Sequence, residues 1–344
     1  MKKKFCALLC VLVGTVSLVG CGSSSATKGE EYVTEDSFES ESLSSSTAAV
    51  EASTASSGAS YNVEEVNEPE LEANAATSSS VDAMTDDALN IVFLGDSQFD
   101  NARDSGTSIS ELVADETGGI VYNLGIGGTS ASVNREQRWV QPADMTDPTF
   151  LGMTYALAGQ APTSIMDGKA AANIFPSVDP SKVDYYVIEY GVNDYFNGAQ
   201  IYDDTDSNNI CTYVSALQQG INTLSTISPN AKFLLISPAY SMFYNSEGTF
   251  IGDGNVVDKG AGTLADYASA CANTASTSGT FYIDAYFGGT FDLDQYTVDE
   301  YLSDGIHYTE TGRKVVAACI SHIINRDMGT DPNDAEILKI DDYD

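Results

Sequence analysis

Short apolar runs alternate with helical repeats from residue 89 to about residue 328, and this rhythm predicts an α/β fold. The apolar runs are typical of strands buried on both faces, and the repeats are typical of the helices that cover them. We predict strands at 91–94, 120–124, 185–190, 233–237 and 281–284. We predict helices at 109–116, 165–172, 210–227, 264–274 and 314–325. The expected fold is a three-layer α/β/α sandwich around a central, mainly parallel five-stranded sheet.

Polar side chains and glycines cluster just after the predicted strands and just before the last predicted helix. The segments are Gly95-Asp96-Ser97, Gly127-Gly128, Gly191-Val192-Asn193-Asp194 and Asp304-Gly305-Ile306-His307. Open parallel sheets bind ligands outside the carboxyl ends of their strands, so these segments are expected to lie close together. They supply a hydroxyl nucleophile, neutral hydrogen-bond donors and a carboxylate with an imidazole, which acyl transfer requires. The pattern predicts a hydrolase.

The residue types indicate how this chemistry could be divided. The amide of Asn193 can donate to an oxyanion without adding charge. The chain has two histidines, and His322 lies within the last predicted helix among apolar residues. His307 lies in a loop, three residues after Asp304, which makes it the predicted base. Asp194 is expected to bind nearby backbone N–H groups.

These segments resemble the sequence blocks of the SGNH (GDSL) hydrolases, named for Ser, Gly, Asn and His, over residues 89–328. The resemblance implies a flavodoxin-like α/β/α fold with Ser97 as the nucleophile. It implies an oxyanion hole built from the Ser97 backbone, Gly128 and Asn193, with Gly127 as the alternative to Gly128. It also implies that His307 is the base and that Asp304 orients it. The order Ser, Asp, His matches the α/β-hydrolases as well, but their Gly-x-Ser-x-Gly elbow is missing.

Cofactor and metal sites find little support in the sequence. The segment from Gly125 to Gly128 begins like a dinucleotide fingerprint, but Ser130 stands where the third glycine is needed. The acidic run 204–208 begins like a calcium loop, but Asn209 and Ser215 occupy its glycine and glutamate positions. Two histidines without a His-Glu-x-x-His motif exclude the common zinc hydrolase patterns. We expect no cofactor and no metal.

The N-terminus predicts export and a lipid anchor. Three lysines precede an apolar run at 5–18, which has the length of a signal peptide rather than of a membrane span. The sequence Leu18-Val19-Gly20-Cys21 then resembles a bacterial lipoprotein cleavage box. We predict a signal peptide at 1–20, lipidation of Cys21 and an extracytoplasmic, membrane-anchored enzyme; an ordinary secretory signal is the alternative. Residues 21–88 are predicted to form a disordered acidic tether and 329–344 an acidic C-terminal tail.

The net charge of the chain narrows the classes of molecule that it could bind. Without the predicted signal peptide the chain has 12 basic and 50 acidic residues, a net charge of −38. A nucleic-acid-binding surface needs the opposite sign of charge, and membrane contact is expected through the N-terminal lipid alone.

The cysteines of the predicted domain are Cys211, Cys271 and Cys319. Their number and spacing match no disulfide framework. We therefore expect each of them to be a free thiol that packs as a small buried hydrophobic residue.

The substrate must be inferred from loops. Gln98 stands where the family often has Leu, and this departure concerns the pocket wall and hence the substrate. We expect substrate contacts from Asp96, Gln98, Arg138, Trp139 and Tyr195, because aromatic faces beside polar groups suit a glycan ester. The leading hypothesis is a surface-anchored serine esterase that removes short O-acyl groups from carbohydrate. A lysophospholipase or thioesterase, an O-acyltransferase and a non-catalytic carbohydrate-binding protein are the alternatives.

Overall fold

The computed structural model describes residues 88–331 and 337–343. The predicted signal peptide, Cys21 and the predicted tether up to residue 87 lie outside the described residues. Within the described ranges, no helix combines the length and the apolar character that a membrane span requires.

A five-stranded parallel sheet forms the centre of the domain. Its strands are β1 (Asn90–Gly95), β2 (Ile120–Asn123), β3 (Tyr185–Glu189), β4 (Lys232–Ile236) and β7 (Phe281–Ile283), in the spatial order β2-β1-β3-β4-β7. The register pairs Phe93 with Asn123, and Gly95 with Glu189, so consecutive strands end at the same edge. Every residue of β3 is buried, because helices cover both faces of a parallel sheet. The predicted fold class is confirmed.

Two groups of helices flank the sheet. The helices are α1 (Ser97–Asp100), α2 (Ile109–Thr117), α3 (Phe150–Leu157), α4 (Ala171–Ile174), α5 (Val192–Phe196), α6 (Tyr213–Ile227), α7 (Leu264–Ser278), α8 (Val298–Tyr301) and α9 (Glu310–Asp327). Helix α2 packs against α9, while α6 packs against both α3 and α7. Cys211, Cys271 and Cys319 are free and buried, as predicted.

Several elements differ from the prediction. The predicted helix at 165–172 is divided into a 3₁₀ turn at Thr163–Met166 and the short α4, and Gly168 between them has φ +76°. Helix α3 was not predicted; all but one of its residues are buried, so it has no amphipathic repeat. An antiparallel hairpin of β5 (Met242–Tyr244) and β6 (Phe250–Asp253) lies apart from the main sheet and was not predicted.

The described part of the predicted C-terminal tail packs against the domain. Leu338 forms a parallel bridge with Phe291, and Ile340 is 1% exposed. The Ile340 N–H donates to the Asp292 carboxylate at 3.1 Å. Residues 337–343 are therefore held by both apolar burial and hydrogen bonds.

Candidate active site

A sharp turn at the end of β1 places Ser97 at the sheet edge. Strand β1 ends at Gly95 and α1 begins at Ser97, while the Asp96 carboxylate caps that helix by accepting from the Gln98 N–H at 3.1 Å. A Cβ on Gly95 would collide with the Phe99 ring, so the chain can turn this tightly only with glycine at that position. The Ser97 N–H lies at the first helical position, where no intrahelical acceptor exists.

Ser97, His307 and Asp304 form a hydrogen-bonded chain across 210 residues of sequence. His307 Nε2 lies 2.9 Å from Ser97 Oγ, and His307 Nδ1 lies 2.7 Å from Asp304 Oδ2. The other Asp304 oxygen accepts from the backbone N–H groups of His307 and Ile306, at 2.8 and 3.0 Å. A proton on Nδ1 that is donated to Asp304 leaves Nε2 free to accept the serine proton. The arrangement can therefore activate a hydroxyl nucleophile.

The ionisation of this pair suits a base held by a carboxylate. The hydrogen bond to Asp304 raises the pKa of His307 above its ordinary value, although partial burial opposes this. Burial acts to raise the pKa of Asp304, but the hydrogen bonds from the His307 ring and backbone outweigh it and lower the pKa to about 2. Asp304 is consequently an anion at neutral pH, and it stabilises the imidazolium that forms when Ser97 loses its proton.

The glycine turn after β2 offers one backbone donor to an oxyanion. The Gly127 N–H donates to Asp100 Oδ2 at 3.0 Å and is therefore occupied. Within the described ranges we find no acceptor for the Gly128 N–H. A Cβ placed on Gly127 would lie 3.7 Å from Ser97 Cβ, so the turn adjoins the nucleophile. Between the two predicted alternatives, this geometry favours Gly128.

Asn193 joins the glycine turn to the serine turn. Its Nδ2 donates to Asp96 Oδ2 and to the Thr129 carbonyl, each at 3.0 Å. The amide is thereby fixed between the two turns and does not rotate freely. As an oxyanion donor it would share one of these hydrogens with the substrate oxygen.

Helix α5 and the residue after it bind the segment that follows the glycine turn. The Asp194 carboxylate accepts from the backbone N–H groups of Ala131 and Ser132, at 2.8 and 3.0 Å. Asn197 Nδ2 donates to Ser130 Oγ at 3.0 Å. The expectation that Asp194 binds backbone groups is confirmed, and its effect is to hold the segment that follows Gly128.

Two buried carboxyl groups lie beneath the site. Asp96 is 1% exposed, and burial raises its pKa to about 7. Glu189, which pairs in register with Gly95, is 2% exposed; one of its oxygens has no hydrogen-bond partner, and burial raises its pKa well above the ordinary range. The predicted contact of Asp96 with substrate is wrong, because that carboxyl is enclosed by protein. Sequence reasoning missed Glu189, whose signal was a single acid at the end of an apolar run.

Gln98 contacts the base loop rather than the pocket. Its side chain is 4% exposed; Nε2 donates to the Ile306 carbonyl at 2.7 Å and Oε1 accepts from the Tyr308 N–H at 3.2 Å. The predicted role in the pocket wall is wrong, because both polar ends of the side chain bind backbone on either side of His307.

Arg138, Trp139 and Tyr195 differ in what they could offer a substrate. Arg138 is paired with Asp203 and Asp206 at 3.2 and 3.1 Å, so its charge is already compensated. Trp139 is 78% exposed, with the Arg138 guanidinium 5.1 Å from its ring centre. Tyr195 is fully buried and donates its hydroxyl to a backbone carbonyl at 3.0 Å, so its predicted contact with substrate is wrong. The contacts predicted for Arg138 and Trp139 stay predictions.

No group of three or more His, Cys, Asp or Glu side chains in the described ranges is arranged to hold a metal ion.

One family of known proteins matches most of the domain in sequence. The sequence model of the GDSL-like lipase/acylhydrolase family matches residues 93–315, a range that includes Ser97, Gly128, Asn193, Asp304 and His307. No curated protein sequence matches the chain significantly.

Solved structures resemble the domain at low sequence identity. One is 21% identical with a TM-score of 0.50, and the match covers 68% of this chain and 94% of that chain. A possible lipase from Chitinophaga pinensis DSM 2588 is 15% identical with a TM-score of 0.48, covering 70% of this chain and 99% of its own. The acetyl xylan esterase AlAXEase is 16% identical with a TM-score of 0.43, covering 67% and 98%. The first of these likenesses shows the shared fold.

Proposed function

Since the chain belongs to the GDSL-like lipase/acylhydrolase family and is an ester-hydrolysing enzyme, we propose that it removes short O-acyl groups, acetyl above all, from carbohydrate through an acyl-Ser97 intermediate. The observation that carries the acyl-Ser97 chemistry is the chain of hydrogen bonds from Ser97 Oγ to His307 and from His307 to Asp304, at 2.9 and 2.7 Å.

The first half of the reaction forms the acyl-enzyme. His307 Nε2 accepts the Ser97 proton while Oγ attacks the ester carbonyl carbon. The carbonyl oxygen becomes an oxyanion, and the N–H groups of Ser97 and Gly128 and the Asn193 amide are the donors available to it. When the tetrahedral intermediate collapses, the bond to the alcohol oxygen breaks and His307 returns its proton to the leaving alcohol.

The second half releases the acid. Water donates a proton to His307 and attacks the acyl-serine carbonyl. When the second intermediate collapses, the bond from the acyl carbon to Ser97 Oγ breaks and His307 returns its proton to Oγ, which frees the carboxylic acid and restores the hydroxyl. An alcohol in place of water would give acyl transfer, so the competition between water and a sugar hydroxyl for the acyl-enzyme decides between hydrolase and transferase.

Serine labelling and mutation test this assignment. We expect the wild-type full chain in detergent to release p-nitrophenol from p-nitrophenyl acetate and to be labelled at Ser97 by a serine-directed phosphonate. Ser97→Ala should lose both properties and keep the wild-type melting temperature. The exposed Ser207 supplies the matched control, since Ser207→Ala should behave as wild type. Labelling at another serine, or full activity in Ser97→Ala, would overturn the proposal.

The dependence of kcat/KM on acyl chain length distinguishes the proposed substrate from a lipid. Each methylene buried on binding contributes about 0.8 kcal/mol, so a lipid-directed enzyme should show a kcat/KM that rises from acetate to octanoate. We expect the opposite trend, with acetate preferred. A rising series would favour a lysophospholipase, and acetyl transfer to an added sugar with little hydrolysis would favour an acyltransferase.

We further propose that a lipid on Cys21 holds the enzyme on the outer side of the bacterial membrane. The support is the lysine-led apolar segment that ends in Leu18-Val19-Gly20-Cys21. Cys21→Ser should move the protein from the membrane fraction to the medium or leave it as unprocessed precursor. Detergent partitioning identical to that of wild type would show that the anchor is not on Cys21.

A further inference from the structure

An open cleft of about 370 Å³ lies between the β5–β6 hairpin and the segment before α8. Its lining includes Tyr240, Phe250, Asp253, Val256, Gln295 and Tyr296. The volume falls within the roughly 300 to 1,000 Å³ of small-molecule sites. We propose that this cleft is a subsite for the sugar of a neutral glycan ester, next to the ester group under attack. This inference rests on the proposed function and names the part of the substrate that the triad does not touch.

The cleft is attached directly to the base loop. The Met242 N–H, on the strand that borders the cleft, donates to the Gly305 carbonyl at 3.0 Å. Gly305 has φ +82°, and a Cβ there would collide with the Met242 carbonyl, so hairpin and loop are in close contact. The Cα atoms of Gly305 and His307 lie within about 7 Å of each other, since the two residues are two positions apart in the chain. The strand that borders the cleft is therefore joined by a backbone hydrogen bond to the loop that carries the catalytic imidazole.

Exposed apolar side chains concentrate in this cleft. Tyr296 is 82% exposed, Val256 70% and Phe250 54%. Phe250 packs edge-on against Tyr244 with ring centres 5.8 Å apart, which extends the aromatic surface beyond the cleft. Single exposed apolar residues are ordinary, whereas a contiguous group beside a reactive site marks a binding surface.

The polar groups of the cleft favour a sugar over an acyl tail. Asp253 Oδ2 accepts from the Tyr240 hydroxyl at 2.8 Å, and Oδ1 accepts from the Asn255 N–H at 2.9 Å. Burial acts to raise the pKa of Asp253, but these hydrogen bonds outweigh it and lower the pKa, so the group is ionised at neutral pH. Covering this carboxylate with an alkyl chain would cost solvation without compensation. A sugar hydroxyl can instead donate to it, while the aromatic rings contact the apolar face of the sugar.

Charge restricts the sugar to a neutral one. The cleft contains the Asp253 carboxylate, and the chain as a whole carries a net charge of −35. A uronate or a sugar phosphate would be repelled by both. The side-chain amide of Gln295 supplies a neutral donor and a neutral acceptor, which suits hydroxyl groups.

The test compares a small ester with a glycan ester in the same variants. Tyr296→Ala and Phe250→Ala should raise the KM for O-acetylated neutral oligosaccharides by roughly tenfold, the size expected when a ring contact is lost. Their kcat/KM on methyl acetate should stay within twofold of wild type, because the methyl group takes the place of the sugar but is too small to contact the rings of the cleft. Tyr202→Ala removes a ring that is 52% exposed outside the cleft lining and should leave both substrates unaffected.

Three outcomes would overturn the subsite. The first is an unchanged KM for the glycan ester in both cleft variants. The second is an equal loss on both substrates. The third is a gain in kcat/KM with acyl chain length that disappears in Tyr296→Ala, which would make the cleft an acyl pocket.

Direct binding measurements distinguish a failure of the subsite from a failure of the proposed function. Calorimetric titration of Ser97→Ala with deacetylated oligosaccharides should show binding that is weakened in Ser97→Ala/Tyr296→Ala. If wild type hydrolyses p-nitrophenyl acetate but Ser97→Ala binds no neutral oligosaccharide, the subsite is wrong and the esterase stands. If wild type hydrolyses no ester while Ser97→Ala binds oligosaccharide through Tyr296, the proposed function fails and the subsite stands.

Discussion

The Nε2 atom of Gln98 donates a 2.7 Å hydrogen bond to the carbonyl oxygen of Ile306. The Oε1 atom of the same side chain accepts from the Tyr308 N–H at 3.2 Å. The residue that follows Ser97 therefore holds the backbone on both sides of His307. Because α1 carries both Ser97 and Gln98, this amide links the position of the base directly to the position of the nucleophile.

Removing the amide should impair the chemistry more than substrate binding. Gln98→Met keeps a side chain of similar length without either hydrogen bond, and we expect kcat for p-nitrophenyl acetate to fall by roughly 10- to 100-fold with little change in KM. Gln219→Met is the matched control. Gln219 lies on helix α6, and the substitution removes its side-chain hydrogen bond to the Asn208 carbonyl. A normal kcat, or a KM that rises alone, would show that Gln98 does not position His307.

Asn193→Ala tests the oxyanion donor. Loss of one such donor lowers kcat by roughly 10² to 10³ and leaves ground-state binding unchanged, so KM should stay near the wild-type value. The Asn193 amide also links Asp96 to Thr129, so the melting temperature must be measured alongside. Normal kcat with a raised KM would instead make Asn193 a substrate contact.

The sequence predicted the strands and the triad because their signals are local. Strand β3 is a continuous apolar run, and Asp304 and His307 lie three residues apart in one loop. The role of Gln98 could not be predicted, since its partners lie 208 and 210 residues away. The same reason hid the burial of Tyr195, because nothing local shows that Phe243 would stack on its ring. Long-range packing decides such positions, whereas periodicity reports only which face of an element is apolar.

The pH profile should report the state of His307. The neutral imidazole is the base, so kcat/KM rises as pH increases through the His307 pKa. Because Asp304 raises that pKa, the ascending limb should lie above the ordinary histidine value of about 6.5. Asp304→Asn should move the limb to lower pH, since the burial that lowers the pKa remains, and should reduce kcat by roughly 10² to 10⁴. An unchanged limb in Asp304→Asn would show that another group controls the profile.

The buried Asp96 should make the domain less stable as pH rises. Burial raises its folded pKa to about 7, so between about pH 4 and pH 7 the folded state retains a proton that the unfolded state has released. The free energy of unfolding contributed by this group therefore falls across that window and is constant above it. Asp96→Asn cannot titrate at this position, so its stability relative to wild type should rise by about 4 kcal/mol from pH 4 to pH 8. Urea titrations of both proteins at several pH values measure this difference. A difference that stays constant with pH would mean that Asp96 is already ionised in the folded enzyme, held so by the Gln98 N–H and the Asn193 amide.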